Sequence, residues 1–400
     1  MGNGLSEALN LADVRDFARR RLPRGIFEFI DRGAEDDVAS AENREAFRRI
    51  KLTTRGLTDV SKRSAATTLL GSPVSMPVAI APTGAAGLVW VRGELELARA
   101  AAAAGVPFTL ATRSMTSIEE IAEKAGGTNW FQLYVWADRS MSWALVDRAA
   151  AAGFQALFVT VDVPVTPNRE YNKRNGFSLP FDPGPRAMLD LALHPRWLLG
   201  VMAKYLITTG MPRYENQPGE TKLTITQGGR ENLPSARNDN LTWDDIRELR
   251  RRWPRALVVK GILRREDALR AIECGADGVV VSNHGGRCLD AAVAPIDALP
   301  AIAEAVGGRA TVLMDGGVRR GSDVVKALAL GASGVLMGRP GLFGTALAGE
   351  AGARHVLDLL QRELLTVLAQ IGCPTIPEIG PDIIHGLARA AALQVVRESS

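Results

Sequence analysis

The sequence predicts an α/β protein, a (β/α)8 (TIM) barrel with helices before the barrel and a long insertion after the fourth strand. Three observations carry that expectation. Eight short apolar runs, rich in β-branched residues, each end in small or polar residues. Alanine-rich amphipathic stretches separate most of them. The runs are apolar throughout rather than alternating, as strands buried on both faces of a parallel sheet must be. Eight strand–helix units favour closure into a barrel over a doubly wound sheet.

Residues 11–58 read as helices packed over one end of the barrel. The strand runs follow at 78–84 (VAIAPTG), 107–112 (PFTLAT), 130–135 (WFQLYV) and 156–162 (ALFVTVD). The second half gives 256–262 (ALVVKGI), 278–285 (GVVVSNHG), 311–317 (TVLMDGG) and 334–340 (GVLMGRP). Helical stretches between them include 94–104, 138–152, 266–274 and 322–330. From 163 to 255 no further strand–helix unit is visible, far more than a βα loop needs. This insertion starts where barrel active sites lie, so a lid or docking element is expected. Within it, 188–207 (MLDLALHPRWLLGVMAKYLI) is apolar with interspersed Arg196, Trp197, Lys204 and Tyr205. It reads either as a helix packed on the barrel or a neighbouring subunit, or as an interfacial segment resting in a membrane surface. Residues 216–240 are polar and read as a mobile loop. The whole chain, 1–400, is expected to form one barrel domain.

Composition narrows the function. At 46% hydrophobic and 23% charged, the chain can bury a large core. The net charge of +4 suits anionic ligands or an anionic membrane surface. The basic clusters at Arg19–Arg21 and Arg250–Arg252 lack interleaved aromatics and read as solvated helix faces, so no nucleic acid is expected. Cys274, Cys288 and Cys373 are too few and scattered for a disulfide framework or a zinc site, so no metal is expected. They read as reduced thiols in a cytoplasmic protein. The first ten residues carry no secretory pattern, and no run of about 18 apolar residues could span a membrane.

The ends of the last two strands carry the most specific signal. Asp315-Gly316-Gly317-Val318-Arg319 leaves the seventh strand and Gly338-Arg339-Pro340 leaves the eighth. Glycines admit backbone N–H groups to a ligand, and arginine binds phosphate bidentately, so these loops read as a phosphate site. Asp315 could accept hydrogen bonds from sugar-alcohol hydroxyls. The sixth strand ends in Ser282-Asn283-His284-Gly285-Gly286-Arg287, which offers a base and a carboxylate-binding arginine. Asp162 after the fourth strand could stabilise an imidazolium on His284, and Arg169 could add a carboxylate contact. Lys260, ending the fifth strand, reads either as a partner of a bound anion or as a salt bridge in the barrel mouth. Gln132 and Tyr134 share one face and either contact a ring or substrate or pack in the core. A phosphate site without a GxGxxG turn after a strand points to FMN rather than a nicotinamide dinucleotide.

Together these motifs resemble the FMN-dependent 2-hydroxy acid oxidases and dehydrogenases. The matching stretches are 81–84 (APTG), 131–135 (FQLYV), 160–164 (TVDVP), 259–262 (VKGI), 282–290 (SNHGGRCLD) and 315–339, in the family's order. Residues 194–197 (HPRW) and 368–374 (LAQIGCP) most resemble its (S)-mandelate dehydrogenases. The resemblance implies oxidation of an L-2-hydroxy acid to a 2-oxo acid, with electrons passing to a quinone or oxygen. It implies His284 as base, Asp162 as its aid, Arg169 and Arg287 on the substrate carboxylate and Tyr134 on the hydroxyl side. Lys260 would stabilise the reduced flavin. Pro82, Thr83, Gly84, Gln132, Thr160 and Ser282 would touch the flavin ring, and Asp315, Gly316, Gly317, Arg319, Gly338 and Arg339 would hold its ribityl phosphate. Gly84 and the interfacial segment favour a quinone acceptor. The resemblance also implies a homotetramer, in the cytoplasm or peripheral on the inner membrane through 188–207. Some positions depart from the pattern. Phe29 falls where relatives carry a tyrosine on the substrate carboxylate, and Asn172 replaces an aspartate. Arg113 stands where relatives place a tryptophan or small residue near the substrate side chain, and either reaches a second polar group or lies on the surface. The alternative reading is flavin-dependent oxidation of an amino or amide compound, or a non-redox flavin- or phosphate-binding barrel.

Overall fold

The computed structural model describes residues 5–177, 184–217, 222–226 and 239–386. Three helices come first: α1 (Leu11–Arg21), α2 (Arg24–Asp31) and α3 (Val38–Arg49). Asn10 caps α1, its side chain accepting from the N–H groups of Ala12 and Asp13. A short antiparallel hairpin follows, β1 (Thr67–Leu69) and β2 (Ser72–Val74). The sequence reading did not anticipate it, because each strand has only three residues.

Eight parallel strands then close a barrel: β3 (Val78–Ile80), β4 (Phe108–Ala111), β5 (Asn129–Leu133), β6 (Ala156–Thr160), β7 (Ala256–Ile262), β8 (Gly278–Val281), β9 (Thr311–Asp315) and β10 (Gly334–Met337). Neighbours follow chain order, and β10 pairs with β3 to complete the ring. All eight expected runs form strands, and the four helical stretches named from sequence form helices shifted by a residue or so. The barrel is filled by Ala79, Trp130, Phe158, Val258, Val280, Leu313 and Leu336. Leu69 and Val74 of the hairpin join this cluster and plug its lower end. Trp130 and Phe158 stack with centroids 5.1 Å apart. Side chains on the other face of the strands pack against the surrounding helices in a larger core.

The insertion differs from expectation in two ways. Trp243–Arg252 is a helix that buries Ile246 and Leu249 and leads into β7, so the stretch read as lacking a further unit ends in a barrel helix. Its start is fixed by Thr242 and Asp245 in a capping box. Residues 188–207 are not one helix: Pro185–Ala192 ends, Pro195 restarts the chain as Pro195–Trp197, and a π-helical turn, Leu198–Ala203, precedes Lys204–Thr208. A proline cannot donate to the preceding turn and biases the residue before it out of helix. Trp197, Val201 and Tyr205 recur every four residues and are buried. Trp197 Nε1 donates to the Leu88 carbonyl (2.7 Å) and the Tyr205 hydroxyl accepts from the Arg92 N–H (2.9 Å), docking the segment beside β3. Much of the expected loop at 216–240 lies outside the described residues.

Candidate active site

Strand alternation builds the site. Two residues beyond the apolar filling, the same inward face of β5–β9 carries Gln132, Thr160, Lys260, Ser282 and Asp315, all buried. Gln132 Nε2 donates to Thr160 Oγ1 (2.9 Å). Lys260 Nζ donates to Ser282 Oγ (2.8 Å) and pairs with Asp315 Oδ2 (2.8 Å). Burial alone would pull the Lys260 ammonium down, but the Asp315 and Asp162 carboxylates hold it above the ordinary lysine value. The salt bridge expected as one reading of Lys260 is therefore present. Asp315 Oδ1 is buried without a hydrogen-bond partner among the described residues.

One more step of two residues reaches Tyr134, Asp162 and His284. His284 Nδ1 lies 2.9 Å from Asp162 Oδ1, and Nε2 lies 3.5 Å from the Tyr134 hydroxyl. Burial opposes charge on both partners, yet their mutual attraction wins: His284 is raised well above the ordinary imidazole value and Asp162 is lowered. Cys288 joins this cluster, its sulfur lying with one ligand atom of each partner inside 4.8 Å.

The loop that carries His284 is unusual. His284, Gly285 and Gly286 all take left-handed backbone, φ 58°, 66° and 74°. A Cβ on Gly286 would come 2.4 Å from the Ser40 amide nitrogen, so glycine is required there. The N-terminal helices hold this loop from outside. Asn43 and Asn283 exchange two side-chain hydrogen bonds (2.8 and 2.7 Å), and Asp290 accepts from the N–H groups of Asp36 and Ala39. Sequence reading missed Asn43, and it met Asn283 and Asp290 only as members of the 282–290 motif, without a role. Buried asparagines and aspartates near glycine-rich turns are the only signal they leave.

Four guanidiniums converge next to the loop, and none of Arg169, Arg287, Arg319 and Arg339 is ion-paired among the described residues. The end of α2 seats two of them. Arg287 donates to the Arg32 carbonyl (2.8 Å), and Arg339 donates to the carbonyls of Ile30, Gly285 and Arg32. The Ile30 and Arg32 carbonyls are unsatisfied acceptors of a helix C-terminus, its negative pole, while the Gly285 carbonyl belongs to the histidine loop. Arg169 Nη2 donates to the Arg287 carbonyl (3.0 Å). Burial, then Arg169 and Arg339, push Arg287 down to about 9. Burial and Arg44 push Arg319 down to about 10, and burial and Arg319 do the same to Arg339. Guanidiniums in this range stay protonated, so each keeps a charge that burial and its cationic neighbours disfavour.

The remaining expected residues lie around the same mouth. Pro82, Thr83 and Gly84 follow β3, and a Cβ on Gly338 would touch Ala81 and Thr83 at 3.7 Å. Gly316 and Gly317 take φ near 90° beside Asn43. Phe29 packs on Phe177, centroids 5.2 Å apart, with the Arg287 guanidinium 5.5 Å from its ring. Arg113 is exposed; its carbonyl accepts from the Ala85 N–H (3.1 Å). The residues present fit FMN: two half-buried arginines without an ion pair among the described residues suit a phosphate, and the orphaned Asp315 oxygen suits a ribityl hydroxyl.

Comparison with known proteins agrees. A family model described as FMN-dependent dehydrogenase matches residues 18–386. The chain is 44% identical over 385 residues to an L-lactate oxidase of Nostoc sp., covering 95% of this chain and 99% of that one. It is 42% identical over 377 residues to an (S)-mandelate dehydrogenase of Pseudomonas putida, covering 94% and 93%. The crystal structure of a monotopic membrane protein, (S)-mandelate dehydrogenase, superposes with a TM-score of 0.89 at 41% identity, covering 94% of this chain and 99% of that one. With the barrel, the anion-binding mouth and the histidine–aspartate pair in place, the chain belongs to the FMN-dependent dehydrogenase family, flavoprotein oxidoreductases that use FMN.

Proposed function

We propose that the enzyme oxidises an L-2-hydroxy acid, mandelate- or lactate-like, to the 2-oxo acid. The observation that carries this reading is the 2.9 Å His284–Asp162 contact beside two guanidiniums, Arg287 and Arg169, that form no ion pair among the described residues. FMN, when bound, supplies the acceptor for two electrons from the substrate α-carbon. Arg287 and Arg169 hold the carboxylate. Nδ1–H of His284 stays on Asp162, which leaves Nε2, on the Tyr134 side, to take the substrate's proton. Asp162 then stabilises the imidazolium. Tyr134 orients the substrate hydroxyl. Lys260, charged and buried, favours negative charge on the ring. Pro82, Thr83, Gly84, Gln132, Thr160 and Ser282 line the ring; Asp315, Gly316, Gly317, Arg319, Gly338 and Arg339 hold the ribityl phosphate.

The test is anaerobic bleaching of the bound flavin by L-lactate, L-mandelate, 4-hydroxymandelate, longer 2-hydroxy acids and a 2-hydroxy dicarboxylate that would engage Arg113. At least one should bleach wild type, while His284→Gln keeps its yellow colour and is not bleached. A flavin that no 2-hydroxy acid reduces, or turnover retained in His284→Gln, overturns the reading.

A second reading concerns location. Met188, Leu189, Leu193, Leu199, Leu206 and Ile207 are exposed along the insertion, with Lys204 among them. No helix among the described residues is long and apolar enough to cross a membrane. An apolar surface with basic neighbours suits a peripheral seat on an anionic inner-membrane face, with a quinone as electron acceptor. Flotation with anionic vesicles should be lost on Leu199→Glu/Ile207→Glu, and a quinone should reoxidise the reduced flavin faster than air. Light scattering tests the homotetramer.

A further inference from the structure

Tyr171 is the second residue of the short helix Glu170–Arg174, two residues after Arg169, and its side chain is buried. Its hydroxyl has no hydrogen-bond partner among the described residues. A buried phenol normally finds one, so an orphaned hydroxyl calls for a ligand. The surroundings say of what kind. The Arg32 guanidinium lies 4.6 Å from the Tyr171 ring centroid, and the Arg32 carbonyl is the seat of both Arg287 and Arg339. Arg287 and Arg339 are also within electrostatic reach of the phenol. The guanidiniums around the phenol can donate but never accept, and the nearby Asp37 carboxylate is taken up by Arg32. Among the described residues the Tyr171 O–H therefore has donors around it and no bonded acceptor. An anionic oxygen brought in by the arginines would be that acceptor.

The Phe29 ring lies 5.5 Å from the Arg287 guanidinium and offers no hydroxyl. We propose that Tyr171 is a specificity-determining residue, whose hydroxyl donates to the substrate carboxylate held by Arg287 and supplies the aromatic hydroxyl that Phe29 lacks. The inference rests on the carboxylate site proposed above and adds a residue to it. A phosphate oxygen of FMN has the same chemistry as an acceptor, so the test must separate the two.

The holoenzyme is titrated with oxalate, a carboxylate without an oxidisable C–H bond, and binding is read from the flavin spectrum. Tyr171→Phe should weaken oxalate binding at least about tenfold, as expected for one hydrogen bond to a charged group, with FMN affinity unchanged. The substrate KM should rise more than kcat falls. Adding Phe29→Tyr to Tyr171→Phe should recover most of the oxalate affinity. Unchanged oxalate affinity overturns the proposal, and so does a loss confined to FMN. Should Tyr171→Phe not fold, Phe29→Tyr alone decides: a full tenfold tightening would mean that no hydroxyl already serves the carboxylate. Oxalate binding does not depend on turnover. Failure of the oxidation reading would instead show as a wild-type flavin that no 2-hydroxy acid bleaches.

Discussion

Asp162→Asn isolates what the carboxylate contributes to His284. The substitution keeps the side-chain shape, and the asparagine Oδ1 can still accept from His284 Nδ1, so ring orientation is preserved while one negative charge is lost. The two side chains lie 2.9 Å apart and are only 12% and 22% exposed, so solvent screens the pair incompletely. A hydrogen bond to a charged group contributes about 1.5–3 kcal/mol. With the neutral asparagine as acceptor the bond is worth only about 0.5–1.5 kcal/mol, so roughly 1–1.5 kcal/mol is forfeited where the imidazolium forms; at 1.36 kcal/mol per decade this slows substrate reduction of the flavin roughly 5- to 13-fold. The pH profile supplies an independent sign. Burial disfavours the imidazolium, but Asp162 and Tyr134 outweigh it and raise His284 well above its ordinary value. The base must be neutral to accept a proton, so activity is lost as pH falls through that raised value. Without the Asp162 charge the acid limb moves to lower pH. Anaerobic stopped-flow reduction, compared on the plateau above the limb, reads the rate; the limb itself reads the shift. A variant with an unchanged plateau, or a limb that stays in place, would refute the coupling of Asp162 to the base.

Two other substitutions probe the scaffold around that pair. Arg339→Ala removes a half-buried cation that no carboxylate pairs with among the described residues, and apoprotein titrated with FMN should bind roughly tenfold or more weakly; equal affinity would take Arg339 away from the phosphate. Gly286→Ala forces a Cβ to within 2.4 Å of the Ser40 nitrogen at φ 74°. Left-handed backbone alone costs about 1–2 kcal/mol, so the melting temperature should drop and substrate binding weaken as Arg287 is displaced. An unaltered melting curve would show that the loop relaxes without strain.

What the sequence determined by itself follows from short-range rules. Near-continuous apolar runs of six to eight residues announced buried strands, and the period of two carried that knowledge upward: Trp130, Gln132 and Tyr134 had to share a face, as did Phe158, Thr160 and Asp162. The phosphate loops were visible because glycine and arginine after a strand have local meaning. Tertiary structure decided everything that depends on partners far apart in the chain. Asn43 meets Asn283, Asp290 caps the start of α3, and the carbonyls ending α2 seat Arg287 and Arg339, all across more than 230 residues. Cys288 read as an isolated thiol until the fold set it beside His284 and Asp162. The proline break at Pro195 was local, yet which face of 188–207 docks was fixed only by Leu88 and Arg92. Side-chain alternation and turn geometry are properties of neighbouring residues. The partner of a buried charge is set by whichever distant backbone or side chain the closed barrel brings within about 3 Å.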